Sequence, residues 1–209
     1  MPDNNRETAQ APPVDSADAV WVSLVVPLPP AGVAQQWRDV EAMLRLNPYY
    51  YFKSWERTSP TTYRAEFENQ SNRTQNMLVI EAREGPGPEF TLHYDSGLKR
   101  RTVFSVEAVM GGSRLTITDD YEGVPETERQ QRLPEVDKSL KAWGESLRVY
   151  FVRLHRWSWL PGWRWYIRRA WIPMKPSARR IVWWIYLITV AEFFFFLFVV
   201  LIFTIERGS

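Results

Sequence analysis

The amino-acid sequence predicts an α+β domain, a curved antiparallel sheet covered by a long helix, followed by one transmembrane helix. Three patterns indicate this architecture. Residues 49–121 contain six short runs in which apolar and polar side chains alternate, as in strands with one buried face. Residues 128–156 repeat apolar side chains at helical spacing, and residues 181–205 are almost wholly apolar. The chain is therefore expected to hold one folded domain and one membrane anchor.

The residues before these runs predict a further strand and a helical part. Residues 19–28 are rich in Val and Trp and end at prolines, which is typical of a strand. Residues 31–46 place apolar side chains at near-helical spacing before Asn47 and Pro48, so we expect one helix or a pair of short helices. Residues 1–18 contain acids and prolines without an apolar stretch, which predicts a disordered tail rather than a signal peptide.

The six alternating runs predict an antiparallel meander. Clusters of Gly, Pro, Asn and Ser separate them and supply turns. We expect the strands at residues 49–57, 62–69, 75–83, 89–95, 100–109 and 114–121. The alternation predicts one apolar face, formed by Tyr63, Ala65, Phe67, Phe90, Leu92, Tyr94, Phe104, Val106, Ala108, Leu115, Ile117 and Tyr121.

A long amphipathic helix is predicted to cover that face. Its apolar positions begin at Leu133 and end at Leu154, and Pro134 is tolerable only because it lies close to the start. The side chains expected to meet the sheet include Val136, Leu140, Trp143, Leu147, Tyr150 and Phe151.

Residues 19–156 resemble the helix-grip fold of the START/Bet v 1 superfamily, also called SRPBCC. The resemblance rests on the order of one strand, short helices ending at Asn47 and Pro48, six strands and a closing helix, without a diagnostic motif. That superfamily includes polyketide cyclases, lipid-transfer START domains and coenzyme Q-binding proteins, and the resemblance implies an apolar cavity between helix and sheet. Its expected ligand-binding residues are Tyr63, Phe67, Phe90, Leu92, Tyr94, Phe104, Ile117, Asp119, Tyr121, Trp143, Leu147 and Tyr150. The alternative is that these side chains fill a core.

The sequence gives little indication of catalysis. It contains no Cys, and His93 and His155 lack the spacing of metal ligands, so we predict no metal, no cofactor and no catalytic residue. Asp119 shares the parity of Leu115, Ile117 and Tyr121, which would turn its carboxylate inward to act as a base or to orient a ligand hydroxyl. In the alternative interpretation, Asp119 and Asp120 mark the frayed end of the last strand.

The apolar segment and its flanks predict a single-pass protein of the inner (plasma) membrane. As a helix, residues 181–205 reach about 37 Å, enough for a hydrocarbon core of roughly 30 Å. Residues 153–180 carry eight Lys or Arg and no acid, so the domain is expected in the cytosol and residues 206–209 as a short external tail. Residues 1–152 hold 17 Lys or Arg against 22 Asp or Glu, which argues against nucleic acid as a partner.

Residues 157–180 form a neck rich in Trp and Arg, which are the side chains favoured at lipid headgroups. Single-stranded nucleic acid is the alternative, but the position before a membrane span favours lipid. The expected interface residues are Trp159, Trp163, Arg164, Trp165, Arg168, Arg169 and Trp171. Glu192 lies near the midplane, where a carboxylate costs about 2.5–3.5 kcal/mol, so we expect it to be protonated or to contact a partner protein in the membrane.

Three functions fit these patterns. The first is a membrane-tethered cytosolic domain that binds a hydrophobic small molecule, such as a lipid, quinone or isoprenoid, at the inner leaflet. The second is a non-catalytic assembly subunit of a membrane complex, docked through Glu192. The third is a cyclase or hydrolase type of enzyme that uses Asp119 or a tyrosine. An open interior would favour the first function, and a filled interior would favour the second.

Overall fold

A seven-stranded, curved antiparallel sheet organises the computed structural model, which describes residues 19–122, 127, 138–174 and 176–207. The strands are β1 (Ala19–Val26), β2 (Tyr50–Arg57), β3 (Thr62–Asn69), β4 (Thr74–Glu84), β5 (Glu89–Tyr94), β6 (Arg101–Val109) and β7 (Gly112–Asp120). Their order in the sheet is β1-β7-β6-β5-β4-β3-β2. The last six strands form the predicted meander, and the first strand returns to pair with the last. The predicted α+β fold is confirmed.

The end of β7 departs from simple alternation. Thr118, Asp119 and Asp120 are buried at three consecutive positions, although neighbouring side chains of a strand point to opposite faces. Asp119 pairs with Val20 of β1 and Asp120 pairs with Arg101 of β6, so this end lies inside the sheet and is not frayed. Arg101 also places Nη2 2.7 Å from the Asp120 carboxylate, which compensates the buried charge on the second face.

Two short helices and one long helix pack on the sheet. They are α1 (Pro30–Trp37), α2 (Val40–Arg45) and α3 (Leu140–Trp157). The predicted helical part is therefore a pair, because Asp39 starts a new helix by accepting a hydrogen bond from the Ala42 amide at 3.1 Å. Asn47 then donates to Ser139 Oγ at 2.6 Å, which joins the end of α2 to the start of α3.

Helix α3 packs on the predicted side of the sheet, mainly against β1, but Ala108, which the alternation predicts on the apolar face, is exposed near the end of β6. Leu140, Trp143, Leu147, Tyr150, Phe151 and Leu154 are all buried, whereas the predicted positions Leu133 and Val136 lie outside the described residues. Gly144 lets the helix approach β1 closely. A Cβ atom at that position would lie 3.0 Å from Val22 Cγ1 and 3.1 Å from Leu24 Cδ2.

The centre of the domain is filled by aromatic side chains. Trp143 meets Phe104 edge to face, with ring centroids 5.5 Å apart, and its Nε1 donates to the Met43 carbonyl at 2.9 Å. Trp37 stacks on Phe90 at 5.8 Å. Such contacts combine large apolar burial with a favourable ring geometry, so they hold α1, α2 and α3 against the sheet.

The C-terminal part continues as helix. Helix α4 (Trp163–Tyr166) leads into a π-helical segment (Ile167–Trp171), and helix α5 spans Pro176–Arg207. Within α5, the 27 residues Ile181–Arg207 are long and apolar enough to cross a membrane. They include the predicted span 181–205 and continue into the predicted external tail, of which residues 208–209 lie outside the described part. The predicted disordered tail, residues 1–18, lies outside it as well.

Candidate functional site

A cleft of about 420 Å³ opens at the end of the sheet where β3 joins β4 and β5 joins β6. Its walls carry four aromatic side chains, Tyr50, Phe67, Tyr94 and Tyr121. Its rim is polar and includes Asn69, Asn72, Thr74, Gln75 and Asn76. This volume falls within the range of small-molecule sites, and the cleft combines aromatic walls with many polar groups.

An ion pair lies at the inner side of the cleft. The Asp119 carboxylate is 1% exposed, and its Oδ2 lies 3.2 Å from Lys99 Nζ, while Thr102 Oγ1 donates to its Oδ1 at 2.5 Å. The Lys99 side chain is 14% exposed and lines the cleft, so Lys99 connects the buried carboxylate to the open space. A buried carboxylate is tolerated when a cation and hydrogen bonds compensate its lost hydration, and both are present here.

Two tyrosine rings flank the Lys99 ammonium group. Its nitrogen lies 5.4 Å from the centre of the Tyr94 ring and 6.0 Å from that of Tyr50, and it donates to the Tyr50 hydroxyl at 3.3 Å. The Tyr94 hydroxyl lies 3.0 Å from Thr102 Oγ1. Aromatic faces attract a cation, so these rings hold the ammonium group in place. The arrangement can bind an amphipathic molecule, with rings against its apolar body and Lys99 near its polar or anionic group.

The sequence-predicted ligand residues fall into three places. Phe67, Tyr94 and Tyr121 line the cleft, and Asp119 lies beneath it. Tyr150 lies at the opposite side of the domain, where it lines a hollow of about 140 Å³ beside the neck. The remaining seven lie in the core, and they are Tyr63, Phe90, Leu92, Phe104, Ile117, Trp143 and Leu147.

Four of these core residues have no accessible surface at all: Phe104, Ile117, Trp143 and Leu147. A side chain that borders a void large enough for water retains accessible surface, so these four contact other side chains and line no such void in this conformation. Phe90 also reaches a surface hollow of about 440 Å³ beside α1. Ligand binding by the predicted set stays a prediction.

Lys99 and Tyr50 are not among the residues that the sequence patterns predict for the site. A signal for Lys99 was present, because an inward acid on β7 requires a cation, and the hairpin register pairs Asp119 with Thr102. That pairing brings the basic residues at 99–101 close to the acid. Tyr50 gave no comparable signal, because it follows a turn and its partner is far away in the sequence.

The neck folds back against the domain. Trp163 and Trp171 are half-buried against the core, whereas Trp159, Arg164, Trp165, Arg168 and Arg169 are exposed. Arg168 reaches Gln36 Oε1 of α1 at 3.5 Å. Between the end of α3, the neck and the start of α5 lies a groove of about 700 Å³, bordered mainly by tryptophan and apolar side chains. Glu192 is exposed on α5 in the single chain, and its contact with a partner protein stays a prediction.

A solved structure shares this fold, although no family model and no curated protein matches the sequence. A START superfamily protein from Mycobacterium smegmatis aligns with a TM-score of 0.50 and 15% identity, over 65% of this chain and 98% of that chain. A protein from Thermus thermophilus aligns with a TM-score of 0.49 and 16% identity, over 68% and 99%. The first alignment confirms the predicted resemblance at the level of the fold. The domain of this chain therefore has the helix-grip fold of the START superfamily, followed by a candidate membrane-spanning helix.

Proposed function

We propose that this protein is a membrane-tethered domain that binds an amphipathic, largely apolar molecule of the lipid, quinone or isoprenoid type. The observation that supports this most directly is the cleft of about 420 Å³ with four aromatic walls and Lys99 at its inner side. An apolar body would displace water from the rings, and a hydroxyl, carbonyl or acidic group would accept a hydrogen bond from the ammonium group. The resemblance to START/Bet v 1 proteins, which implies an apolar cavity, supports the same class of ligand.

The anchor would present this cleft to ligands dissolved in the membrane. Eight Lys or Arg between residues 153 and 180, with no acid, favour a cytosolic domain at the inner leaflet of a plasma membrane. Tethering raises the effective concentration of the domain at the bilayer surface without any additional contact. A weak affinity in the cleft would then suffice for occupancy.

A second candidate is the assembly subunit, and the filled centre of the domain favours it. Phe104, Ile117, Trp143 and Leu147 have no solvent-accessible surface among the residues that the structure describes, so none of these four borders a water-sized void. In that case Glu192 would mediate the contact with another membrane helix. The enzyme alternative finds less support, because both Asp119 oxygens are engaged, and no cluster of His, Asp and Glu within the described ranges could hold a metal ion.

Lipid extraction from the full chain tests the proposal. The chain is purified in mild detergent, and its bound apolar molecules are identified by mass spectrometry. Met77 is exposed at the edge of the cleft, so Met77→Trp narrows the opening, whereas Met110→Trp makes the same change on an exposed turn away from it. Bulk lipid around α5 is carried equally by both variants, so their difference reports on the cleft.

We expect one apolar molecule to be retained by the wild type and by Met110→Trp. In Met77→Trp it should be depleted at least about fivefold, because the indole would occupy part of the cleft. A depletion of about fivefold corresponds to a loss of about 1 kcal/mol in binding free energy. Equal recovery from both variants would contradict binding in the cleft. Recovery of bulk phospholipid alone from the wild type would favour the assembly subunit.

A further inference from the structure

The groove at the base of the neck has the features of a binding site that is separate from the cleft. We call it the junction groove. It holds about 700 Å³ between the end of α3, the neck and the first turns of α5. The side chains that matter for its chemistry are Arg153, Trp157, Trp163, Trp171, Arg179 and Trp183.

Arg179 is held in this groove by backbone carbonyls. Its Nε donates to the Trp171 carbonyl at 3.0 Å, and its Nη2 donates to the carbonyls of Ile172 at 2.7 Å and Arg45 at 3.3 Å. Within the part of the chain that the structure describes, no carboxylate lies within ion-pair distance of this guanidinium group, and no acceptor faces its Nη1. A half-buried charge has thus lost hydration without gaining an anion.

The neighbouring charges increase this imbalance. Burial lowers the pKa of Arg179, and the positive charge of Arg45 lowers it further. Arg45 has its own partner, because its Nε lies 2.7 Å from the Glu41 carboxylate. Glu145 lines an adjoining hollow of about 220 Å³, but Arg148 engages it at 2.6 Å. Glu41 and Glu145 are therefore each paired with another cation and do not compensate Arg179.

Arg153 provides a second cation in the same groove. It lies on an exposed position of α3, and among the residues that the structure describes it forms no ion pair and no hydrogen bond. The chain between Glu145 and Glu192 contains nine Lys or Arg and no acid, so the surroundings attract anions and repel cationic headgroups such as choline. An anion between Arg153 and Arg179 would compensate both charges.

The position of the groove determines the kind of anion. The candidate span begins at Ile181, so the groove lies where lipid headgroups meet the first turns of α5. Its remaining lining is aromatic and apolar, which suits the glycerol backbone and the upper acyl chains of a lipid. The planar guanidinium fork matches phosphate oxygens, which it can bind through two parallel hydrogen bonds.

We propose that the junction groove binds one anionic phospholipid, with its phosphate between Arg153 and Arg179 and its chains along the Trp-lined start of α5. This lipid would be a resident part of the membrane junction and not the molecule that occupies the cleft. It would also supply the missing anion for Arg179 and so fix the neck against the domain.

Native mass spectrometry of the full chain tests this site. The protein is released from nanodiscs of an equimolar mixture of phosphatidylcholine and phosphatidylglycerol, and the lipid that stays bound is counted. Arg153→Gln removes a cation that forms no ion pair and no hydrogen bond in the described structure, so the domain should fold normally. Arg179→Gln removes the second cation. Arg169→Gln removes the same charge from the exposed neck outside the groove and serves as the matched control.

We expect the wild type to retain one phosphatidylglycerol in preference to phosphatidylcholine. Arg153→Gln and Arg179→Gln should each weaken that retention about tenfold, the effect of losing one hydrogen bond between charged groups. Arg169→Gln should change it less than about twofold, because Arg169 lies outside the groove and its charge would act on the lipid only through the screened field. If Arg179→Gln does not fold, Arg153→Gln alone carries the comparison.

Two results would overturn the site. Equal retention of both lipids by the wild type would show no headgroup preference. An equal loss in Arg169→Gln and Arg153→Gln would show that the neck attracts anionic lipid as a diffuse collar. Met77→Trp, which narrows the cleft, should leave phosphatidylglycerol bound. A negative result for ligand binding in the cleft can therefore be distinguished from a negative result for lipid binding in the junction groove.

Discussion

Replacing Lys99 with Met removes the ammonium group beside Asp119 and nearly preserves the length of the side chain. The Asp119 carboxylate is 1% exposed and would lose its cation at 3.2 Å. Removing one member of a buried ion pair costs about 3–5 kcal/mol. Thr102 would still donate to Asp119 at 2.5 Å. We therefore expect the low end of that range, about 3 kcal/mol in the free energy of unfolding.

A double-mutant cycle separates the ion pair from other effects of the substitution. Asp119→Asn alone should also destabilise the domain, because it removes the negative charge that lies 3.2 Å from the ammonium group. The double variant should lose less than the sum of the single variants, with a coupling energy of about 1–3 kcal/mol. Urea unfolding of the full chain in mild detergent, followed by tryptophan fluorescence, measures all four free energies.

Lys53→Met provides the control for this cycle. Lys53 pairs with Glu66 at 3.3 Å, but the two side chains are 43% and 36% exposed, so the pair contributes less than about 1 kcal/mol. If Lys99→Met cost no more than Lys53→Met, the buried carboxylate would not depend on Lys99. If the free-energy changes of the two single variants added up to that of the double variant, the same conclusion would follow. The Lys99–Asp119 ion pair would then not stabilise the inner side of the cleft.

Two further changes test the packing of α3 and the titration of the sheet. Gly144→Leu should cost about 1–3 kcal/mol in unfolding free energy by overpacking, since a Cβ already lies 3.0 Å from Val22 Cγ1. An equal cost for Lys141→Leu, on the exposed face of the same helix, would contradict this. Burial, followed by the charge of Arg83, lowers the pKa of His93 below its ordinary value of 6.5. As the pH drops through 6.5, the unfolded chain therefore binds a proton before the folded chain does, and the free energy of unfolding should fall. His93→Gln should flatten that dependence in urea titrations, and an unchanged slope would exclude His93 as its source.

The strands could be predicted because each has one buried face. In β3, Tyr63, Ala65 and Phe67 are buried as the alternation requires, and the observed strand Thr62–Asn69 has the predicted bounds. The rule failed at the end of β7, where Asp120 is buried as well. There the second face is closed by Arg101, a contact between strands that the pattern of one strand does not contain.

The interior of the domain could not be predicted in the same way. Alternation shows that Phe104 and Ile117 face inward, but it does not show whether they meet a cavity or one another, because both arrangements bury the same side chains. Which arrangement forms depends on whether the volume of the side chains fills the space between the helices and the sheet. The Trp143 side chain extends from α3 into the core, where its ring centroid lies 5.5 Å from that of Phe104. Its hydrogen bond to the Met43 carbonyl fixes the position of the indole.

The segment between Arg45 and Tyr50 connects the two proposed sites. At its start, the Arg45 carbonyl accepts a hydrogen bond from Arg179 at the base of the anchor. In its middle, Asn47 donates to Ser139, and at its end the Tyr50 hydroxyl accepts from Lys99 in the cleft. In the proposed membrane-bound state, such contacts would limit the orientations of the domain relative to the bilayer, which a flexible linker would not do. Loss of the Arg179 contacts should therefore reduce loading of the cleft from a bilayer while leaving binding from detergent solution unchanged.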